Sequence, residues 1–213
     1  MEFVFGQNGI SPILLELADG TFVYLQGRID RIDMTADGAV RIIDYKSGGK
    51  KFDPTLVYWG LQLQLLLYMA AAVARIPESR AAGFFYCRVA DPTVKTEIRM
   101  KEEVEKQIAK KLALSGITLS DVSILRAQGG AQAGMVTKDG KPNGRYASSM
   151  VTDEGMEHLI AFARNKATTL AGDIYAGMID DSPYERGSLH ACQSCDYAPI
   201  CTFDPERKPR RRL

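Results

Sequence analysis

The chain has 213 residues, of which 46% are hydrophobic and 25% are charged, and its formal net charge is only +1. This composition suffices for one substantial α/β core, and we expect neither a membrane span nor a secretory signal. A charge near zero excludes nucleic-acid binding through a uniformly basic surface, so any such binding needs a local patch.

The first predicted elements are strands. Apolar and β-branched segments predict strands at 3–6, 13–17 and 21–29, and the last of these ends at Asp30. A further strand at 40–43 follows the turn 35–38, which predicts a hairpin. Asp44 and Lys46 come directly after it, and two residues apart on a strand their side chains point to one face. If the strands pair, Asp30, Asp44 and Lys46 converge on one small area.

This trio predicts a particular chemistry. Two carboxylates suit Mg²⁺ or Mn²⁺, which bind through one or two acids together with water and substrate phosphate. A lysine beside them would orient the attacking water or neutralise charge that develops on a phosphoryl oxygen. The pattern therefore indicates metal-assisted phosphodiester hydrolysis. The alternative is a surface hairpin with ordinary Asp–Lys pairs.

A buried helix is predicted next. Asp53 and Pro54 form a helix start, and the segment 55–74 is apolar nearly all round. Gln64 and Tyr68 are four residues apart and share a helix face, which would place an amide and a phenol beside the metal site. The alternative is a buried pair that satisfies itself or nearby backbone. Gln62 lies on another face and has no assigned role.

The rest of the chain predicts no internal repeat and no second domain. We expect a central strand at 84–89 that pairs with 94–99, an amphipathic helix at 101–114, a loop at 128–149 and a long helix at 152–178. The predicted organisation of residues 1–213 is one nuclease-type domain. It has a core at 1–186, a cysteine-rich segment at 187–205 and a basic tail at 206–213, which is either a solvated end or a patch for nucleic acid.

Three cysteines near the end of the chain indicate a metal site. Cys192, Cys195 and Cys201 are closely spaced in a loop-rich segment, and a disulfide would leave one of them over. Three thiolates need a fourth ligand for either Zn²⁺ or a [4Fe–4S] cluster, and His190 would complete a zinc site. Cys87 lies in a predicted strand, where a cysteine is ordinarily a small hydrophobe. Free cysteines of this kind fit a reducing cytoplasm.

Three motifs, in order, carry a family resemblance. Residues 27–33 (GRIDRID), 44–48 (DYKSG) and 60–68 (GLQLQLLLY) resemble those of the PD-(D/E)XK nuclease superfamily, in its RecB-like branch. The resemblance extends from about residue 2 to residue 204. It implies an α/β fold of the restriction-endonuclease type, with a central mixed β-sheet flanked by helices and a C-terminal cysteine-rich cap.

The resemblance also implies roles for individual residues. Asp30, Asp44 and the backbone carbonyl of Tyr45 would bind the metal ion, and Lys46 would be catalytic. The helix motif with Gln64 and Tyr68 would support the site and meet the DNA. The implied activity is that of an Mg²⁺-dependent deoxyribonuclease, an exonuclease by resemblance.

The implied setting is an ATP-dependent helicase–nuclease that processes double-strand breaks for recombination. The chain would work with a partner subunit and act on a single strand delivered to the site. Alternatives are an inactive DNA-binding or scaffold module with the same fold, or a zinc-stabilised interaction domain.

Two features of the resemblance indicate a fragment of a larger protein. The cysteine triplet resembles the last three ligands of a family iron–sulfur cluster, whose remaining cysteine lies far upstream, so we expect an incomplete cluster here. RecB-like nucleases also carry an N-terminal helix with a metal-binding Glu or His. Glu2 and Glu16 are the acids in this region, and neither has that context.

Overall fold

The computed structural model describes residues 3–6, 11–89, 101–128, 134–180, 182–207 and 210–213. The chain divides into two compact units, 1–169 and 170–213. This division falls within a helix and not at the predicted boundary between residues 186 and 187. The assignment of the whole chain to a single nuclease domain stays a prediction.

The first unit begins with two small antiparallel pairs of strands. Their members are β1 (Phe3–Phe5), β2 (Ile13–Glu16), β3 (Phe22–Leu25) and β4 (Gly27–Ile29). Strand β1 pairs with β4, and β2 pairs with β3. The single strand predicted at 21–29 is therefore two, because its halves bond to different partners and the ladder changes at Gln26.

A mixed sheet forms the core of this unit, as predicted. Within the described residues its order is β5-β6-β7-β8-β9. Its strands are β5 (Arg31–Met34), β6 (Ala39–Lys46), β7 (Arg80–Arg88), β8 (Ser115–Leu119) and β9 (Met150–Val151). Strand β6 runs parallel to β7 and antiparallel to β5. Ile42 of β6 and Phe84 of β7 are fully buried, so these two strands form the centre of the core.

The hairpin before β6 differs from the prediction in one respect. The turn at 35–38 is confirmed, since the Gly38 N–H donates to the Thr35 carbonyl at 3.1 Å and Gly38 has a φ of 81°. The antiparallel partner of β6 is β5, however, and not the strand that ends before Asp30. Asp30 itself occupies the bend between β4 and β5.

The helix predicted at 55–74 is two helices, α1 (Pro54–Tyr58) and α2 (Gln64–Val73). The predicted N-cap is confirmed, because the Asp53 side chain accepts from the Thr55 N–H at 2.8 Å. The chain turns at Gly60, where φ is 83°. Helix α2 then packs on β6 and β7 through buried residues that include Leu65, Leu66 and Met69.

The later part of the unit contains α3 (Lys101–Lys111), α4 (Val122–Gln128) and the start of α5 (Asp153–Tyr175). Strand β8 and helix α4 were not predicted, since Ser115 and Gly116 resemble a helix end. Helix α5 agrees with the prediction, and the Thr152 hydroxyl caps it by accepting from the Gly155 N–H. The strand predicted at 94–99 and part of the loop predicted at 128–149 lie outside the described residues. In the described part of the chain no helix has the length and apolarity needed to cross a bilayer.

The second unit contains the end of α5 and short strands. They are β10 (Tyr184–Arg186), β11 (Leu189–His190) and β12 (Arg211–Arg212). Strand β12 runs parallel to β10. The Arg210 guanidinium donates to the Glu185 carboxylate at 3.2 Å. Residues 210–213 are thus held by this ion pair and by β12, while Arg211 and Arg212 stay exposed, and the role of the basic tail remains a prediction.

Candidate nuclease site

The centre of the site is a carboxylate–ammonium pair at the carboxyl end of β6. Asp44 is buried, at 2% exposure, and Lys46 is half-buried. The Lys46 Nζ lies 2.5 Å from the Asp44 Oδ2. This ion pair is the contact of Oδ2, and within the described residues no hydrogen-bond donor is added to it. Strand alternation places both side chains on the face that α2 covers, as the sequence predicts.

Asp30 joins this pair through the backbone. Its Oδ2 accepts a hydrogen bond from the N–H of Tyr45, the residue after Asp44, at 2.9 Å. The predicted approach of Asp30 to the end of β6 is therefore confirmed. The Tyr45 side chain is exposed, and its hydroxyl accepts from the Arg31 guanidinium at 3.3 Å. A role of the Tyr45 carbonyl as a metal ligand remains a prediction.

Helix α2 supports the lysine from the other side. The Lys46 Nζ donates to the Gln64 Oε1 at 3.4 Å, and the Gln64 Nε2 donates to the Tyr68 hydroxyl at 3.0 Å. The two side chains share a face and bond to each other, and the Gln64 amide lies beside Lys46, as the main prediction has it. Neither side chain is fully buried, so the alternative of a buried pair describes them less well. The Tyr68 ring packs edge-on against Phe5 at 5.9 Å. A Cβ at Gly27 would lie 2.7 Å from the Phe5 ring and 3.1 Å from the Tyr68 ring, so the close approach of Phe5 accounts for the glycine there.

Tyr86 is a site residue that the sequence analysis missed. It pairs with Asp44 across β6 and β7, is 2% exposed, and its hydroxyl has no hydrogen-bond partner within the described residues. Burial raises the pKa of Tyr86 to about 12, with further contributions from Asp44 and Tyr68. A polar hydroxyl inside an apolar strand was a visible signal, but only the strand register places it beside Asp44.

Lys50 adds a second ammonium group close to the site. Its Nζ lies 4.9 Å from the centre of the Tyr86 ring, and that of Lys46 lies 5.8 Å from it. Burial lowers the pKa of Lys50, the Lys46 charge lowers it further, and the Asp44 carboxylate opposes both. The basic loop after β6 therefore contributes positive charge at the carboxylate.

The donor set fits a hard divalent cation. The Asp44 Oδ2 is buried and lacks a hydrogen bond within the described residues, and the Asp30 carboxylate is held at the N–H of the next residue, Tyr45. Such oxygens are the ligands that Mg²⁺ and Mn²⁺ take, completed by water, carbonyl and phosphate oxygens. In the part of the chain that the structure describes, no set of three His, Cys, Asp or Glu side chains is placed to hold a metal. The ion would thus rest on two acids.

The cysteines separate as predicted into one and three. Cys192, Cys195 and Cys201 line a single cavity of about 250 Å³ in the second unit, whereas Cys87 belongs to β7. All four are free thiols. The triplet shares a cavity but is not arranged as a metal-binding group among the residues that the structure describes. A cluster at this position remains a prediction.

Sequence comparison finds relatives that are named as nuclease subunits. The chain is 38% identical over 221 residues to the B subunit of the ATP-dependent helicase/deoxyribonuclease of Alkaliphilus metalliredigens (strain QYMF). It is 35% identical over 219 residues to that of Alkaliphilus oremlandii (strain OhILAs), and 34% identical over 224 residues to that of Clostridium kluyveri (strain NBRC 12016). These alignments cover 95%, 95% and 97% of this chain but 19% of each relative, so the chain spans about a fifth of their length.

A family model supplies the assignment. The model of the PD-(D/E)XK nuclease superfamily matches residues 2–202, which include the whole sheet of the first unit and all of α5. The three motifs that carry the resemblance meet in the structure around the end of β6, where Asp30 bonds to the Tyr45 N–H and Gln64 bonds to Lys46. The chain therefore belongs to the PD-(D/E)XK nuclease superfamily.

Proposed function

We propose that this chain is a deoxyribonuclease that uses Mg²⁺ or Mn²⁺ to hydrolyse DNA phosphodiester bonds. The observation that carries the proposal is the buried Asp44 carboxylate, whose Oδ2 lies beside the Lys46 ammonium and lacks a hydrogen bond within the described residues. A carboxylate buried beside an ammonium at the end of a strand is a place where a perturbed, functional group is expected, and a divalent cation is the ligand that suits its oxygens.

Each side chain has a definite role in this proposal. Asp44 and Asp30 hold the cation, which would supply Lewis-acid polarisation of the phosphate and activation of water. Lys46 places a positive charge where the phosphoryl group gains negative charge. Gln64 holds the lysine in position, and Tyr68 in turn holds Gln64. We expect Gln64 and Tyr68 to contact DNA from the helix side.

The larger setting is inferred from the relatives. They are named as the B subunit of an ATP-dependent helicase/deoxyribonuclease. We infer that this chain also serves such a complex in the cytoplasm, with a partner subunit that delivers a single strand to the site during double-strand-break processing. Exonuclease action follows from the same inference.

A cleavage assay tests the proposal. Single-stranded DNA with Mg²⁺ should be cut by the wild-type chain, and both Asp44→Ala and Lys46→Ala should lower the rate by roughly 10²-fold or more, because each removes charge used in the transition state. Lys138→Ala, a change at an exposed lysine remote in sequence from the motifs, is the matched control and should cut normally. Circular dichroism should show that all variants are folded.

An inactive DNA-binding module is the second candidate. It is favoured by the presence of only two metal-binding acids at the site among the described residues. A wild-type chain that binds DNA yet cuts none with either Mg²⁺ or Mn²⁺ would support it. Cleavage at equal rates by the wild type and Asp44→Ala would instead mean that the site is wrongly assigned.

We also infer that Cys192, Cys195 and Cys201 serve as three ligands of a [4Fe–4S] cluster in the parent protein. Their common cavity supports this assignment. Such a cluster takes four protein ligands, so these three thiols alone leave it incomplete.

A further inference from the structure

A basic groove opens beside the proposed catalytic site. It has a volume of about 720 Å³, within the usual range of about 300–1,000 Å³ for ligand sites, and three separate segments line it. Its cations come from the loop after β6, from the end of β7 and from α3, and they are Lys50, Lys51, Arg88, Lys106, Lys110 and Lys111. Glu103 is the acidic residue among the lining residues. We call this cavity the α3 groove.

Helix α3 lines the groove with charged side chains and does not pack an apolar face into the core. None of its described residues is buried. Lys106 and Lys110 are four residues apart, so they share one helix face, and both line the groove. Neither has a carboxylate partner within the described residues, whereas Lys101 on the same helix pairs with Glu105 at 3.8 Å. Two such lysines one helix turn apart repel each other, and an anion in the groove would relieve that repulsion.

The groove leads to the carboxylate site. Its lining includes Tyr86, which stands in register with Asp44 on the neighbouring strand. The ammonium groups of Lys46 and Lys50 both lie over the Tyr86 ring, at 5.8 and 4.9 Å from its centre. Positive charge is therefore continuous from α3, through Lys50, to the catalytic Lys46.

We propose that the α3 groove binds the phosphates of the DNA strand next to the bond being cut, with Lys106 and Lys110 as phosphate-contacting residues. This proposal rests on the nuclease function proposed above and names the surface that receives the substrate. A groove that follows the backbone of one strand is the usual way in which proteins bind single-stranded nucleic acid without reading its sequence. It also explains how a chain of net charge +1 meets a polyanion.

Binding of a fluorescent single-stranded oligodeoxynucleotide, followed by anisotropy in EDTA to prevent cleavage, tests the groove on the full chain. Lys106→Ala/Lys110→Ala should weaken binding roughly ten- to thirtyfold at about 0.1 M salt. It should also reduce the slope of log affinity against log salt by about 1.4, since each lost phosphate contact removes about 0.7. Lys101→Ala/Lys138→Ala removes the same net charge outside the groove and should change the affinity less than about threefold.

Glu103→Gln provides a test of opposite sign. Removal of the acidic group in the groove lining should tighten binding, whereas Glu105→Gln, on the same helix but paired with Lys101, should leave it nearly unchanged. Equal weakening by the two double-lysine variants, or wild-type affinity in Lys106→Ala/Lys110→Ala, would overturn the proposal. Such a result would leave the nuclease assignment intact, because cleavage in Mg²⁺ and its loss in Asp44→Ala are measured separately.

Discussion

Asp44 shows how one residue position serves both stability and chemistry. Its carboxylate is 2% exposed and is balanced by Lys46, which Gln64 holds from the helix side. Loss of one member of a fully buried ion pair typically costs about 3–5 kcal/mol, because the remaining charge is uncompensated. Lys46 is only half-buried, so this range is an upper bound here. Lys46→Ala should therefore lower stability as well as activity. The assay must show a folded variant before a catalytic role is assigned.

The raised pKa of Tyr86 predicts how the stability of the chain depends on pH. Its pKa is raised to about 12 in the folded chain, mainly by burial, against 10.0 as its ordinary value. The unfolded chain therefore loses this proton first as the pH rises above about 10, and the stability that depends on the neutral phenol declines until about pH 12. Relative to Tyr86→Phe, the wild type should lose up to about 2 kcal/mol of unfolding free energy between about pH 9 and about pH 12.

Urea unfolding of both proteins at several pH values measures this difference. Comparison with the phenylalanine variant cancels the titration of the other tyrosines and the lysines. Parallel stability profiles for the two proteins would mean that Tyr86 ionises with an ordinary pKa and is less enclosed than the structure indicates.

Gln62, in the break between α1 and α2, makes two hydrogen bonds to the backbone of the preceding loop. Gln62 is buried at 6% exposure, accepts from the Asp53 N–H and donates to the Lys51 carbonyl, each at 3.0 Å. Gln62, which has no assigned role in the sequence analysis, thus ties the segment between α1 and α2 to the basic loop that precedes α1. Buried backbone groups need such partners, and the Gln62 amide supplies them for Lys51 and Asp53.

At the scale of the secondary-structure element, the pairing of β8 with β7 predicts a loss of stability when Gly116 is replaced. A Cβ at Gly116 would lie 1.9 Å from the Phe84 carbonyl oxygen, a backbone atom that cannot move without opening the pairing of β7 with β8. Gly116→Ala should therefore destabilise the chain by about 3 kcal/mol or more.

Gly48→Ala is the matched control for this strand. A Cβ at Gly48 meets no described atom within 4 Å, so the change should alter stability by less than about 0.5 kcal/mol. Thermal unfolding of the two variants measures both effects. Similar melting temperatures would show that β8 does not pair tightly with β7.

At the scale of the whole molecule, the number of cysteine ligands predicts how much iron the purified chain binds. Because three thiols leave a [4Fe–4S] cluster incomplete, the chain purified without oxygen should contain well below one cluster. Cys87→Ser should retain whatever iron is bound, and Cys195→Ser should lose it. Elemental analysis measures the iron and zinc per chain, and visible absorption detects an iron–sulfur cluster. Four iron atoms per chain would require a ligand we have not identified, and stoichiometric zinc would favour the zinc-stabilised alternative.

Local patterns in the sequence were sufficient for several parts of the site. The two-residue alternation of a strand places Asp44 and Lys46 on one face, and the helix period puts Gln64 near Tyr68. The turn at 35–38 and the helix start at Asp53 depend on residues within one turn of one another, and both predictions are confirmed. Each of these features is encoded over a few consecutive positions.

Other features were decided by the tertiary structure. The pairing of Asp44 with Tyr86 depends on the register of two parallel strands far apart in sequence, and the α3 groove joins segments from three parts of the chain. Strand β8 was hidden because its first residues resemble a helix end. Local propensity and periodicity act between neighbours along the chain, so the sequence by itself determined the motif faces. Register and pairing depend on how the whole core packs, and only the folded chain decided which distant groups share the site.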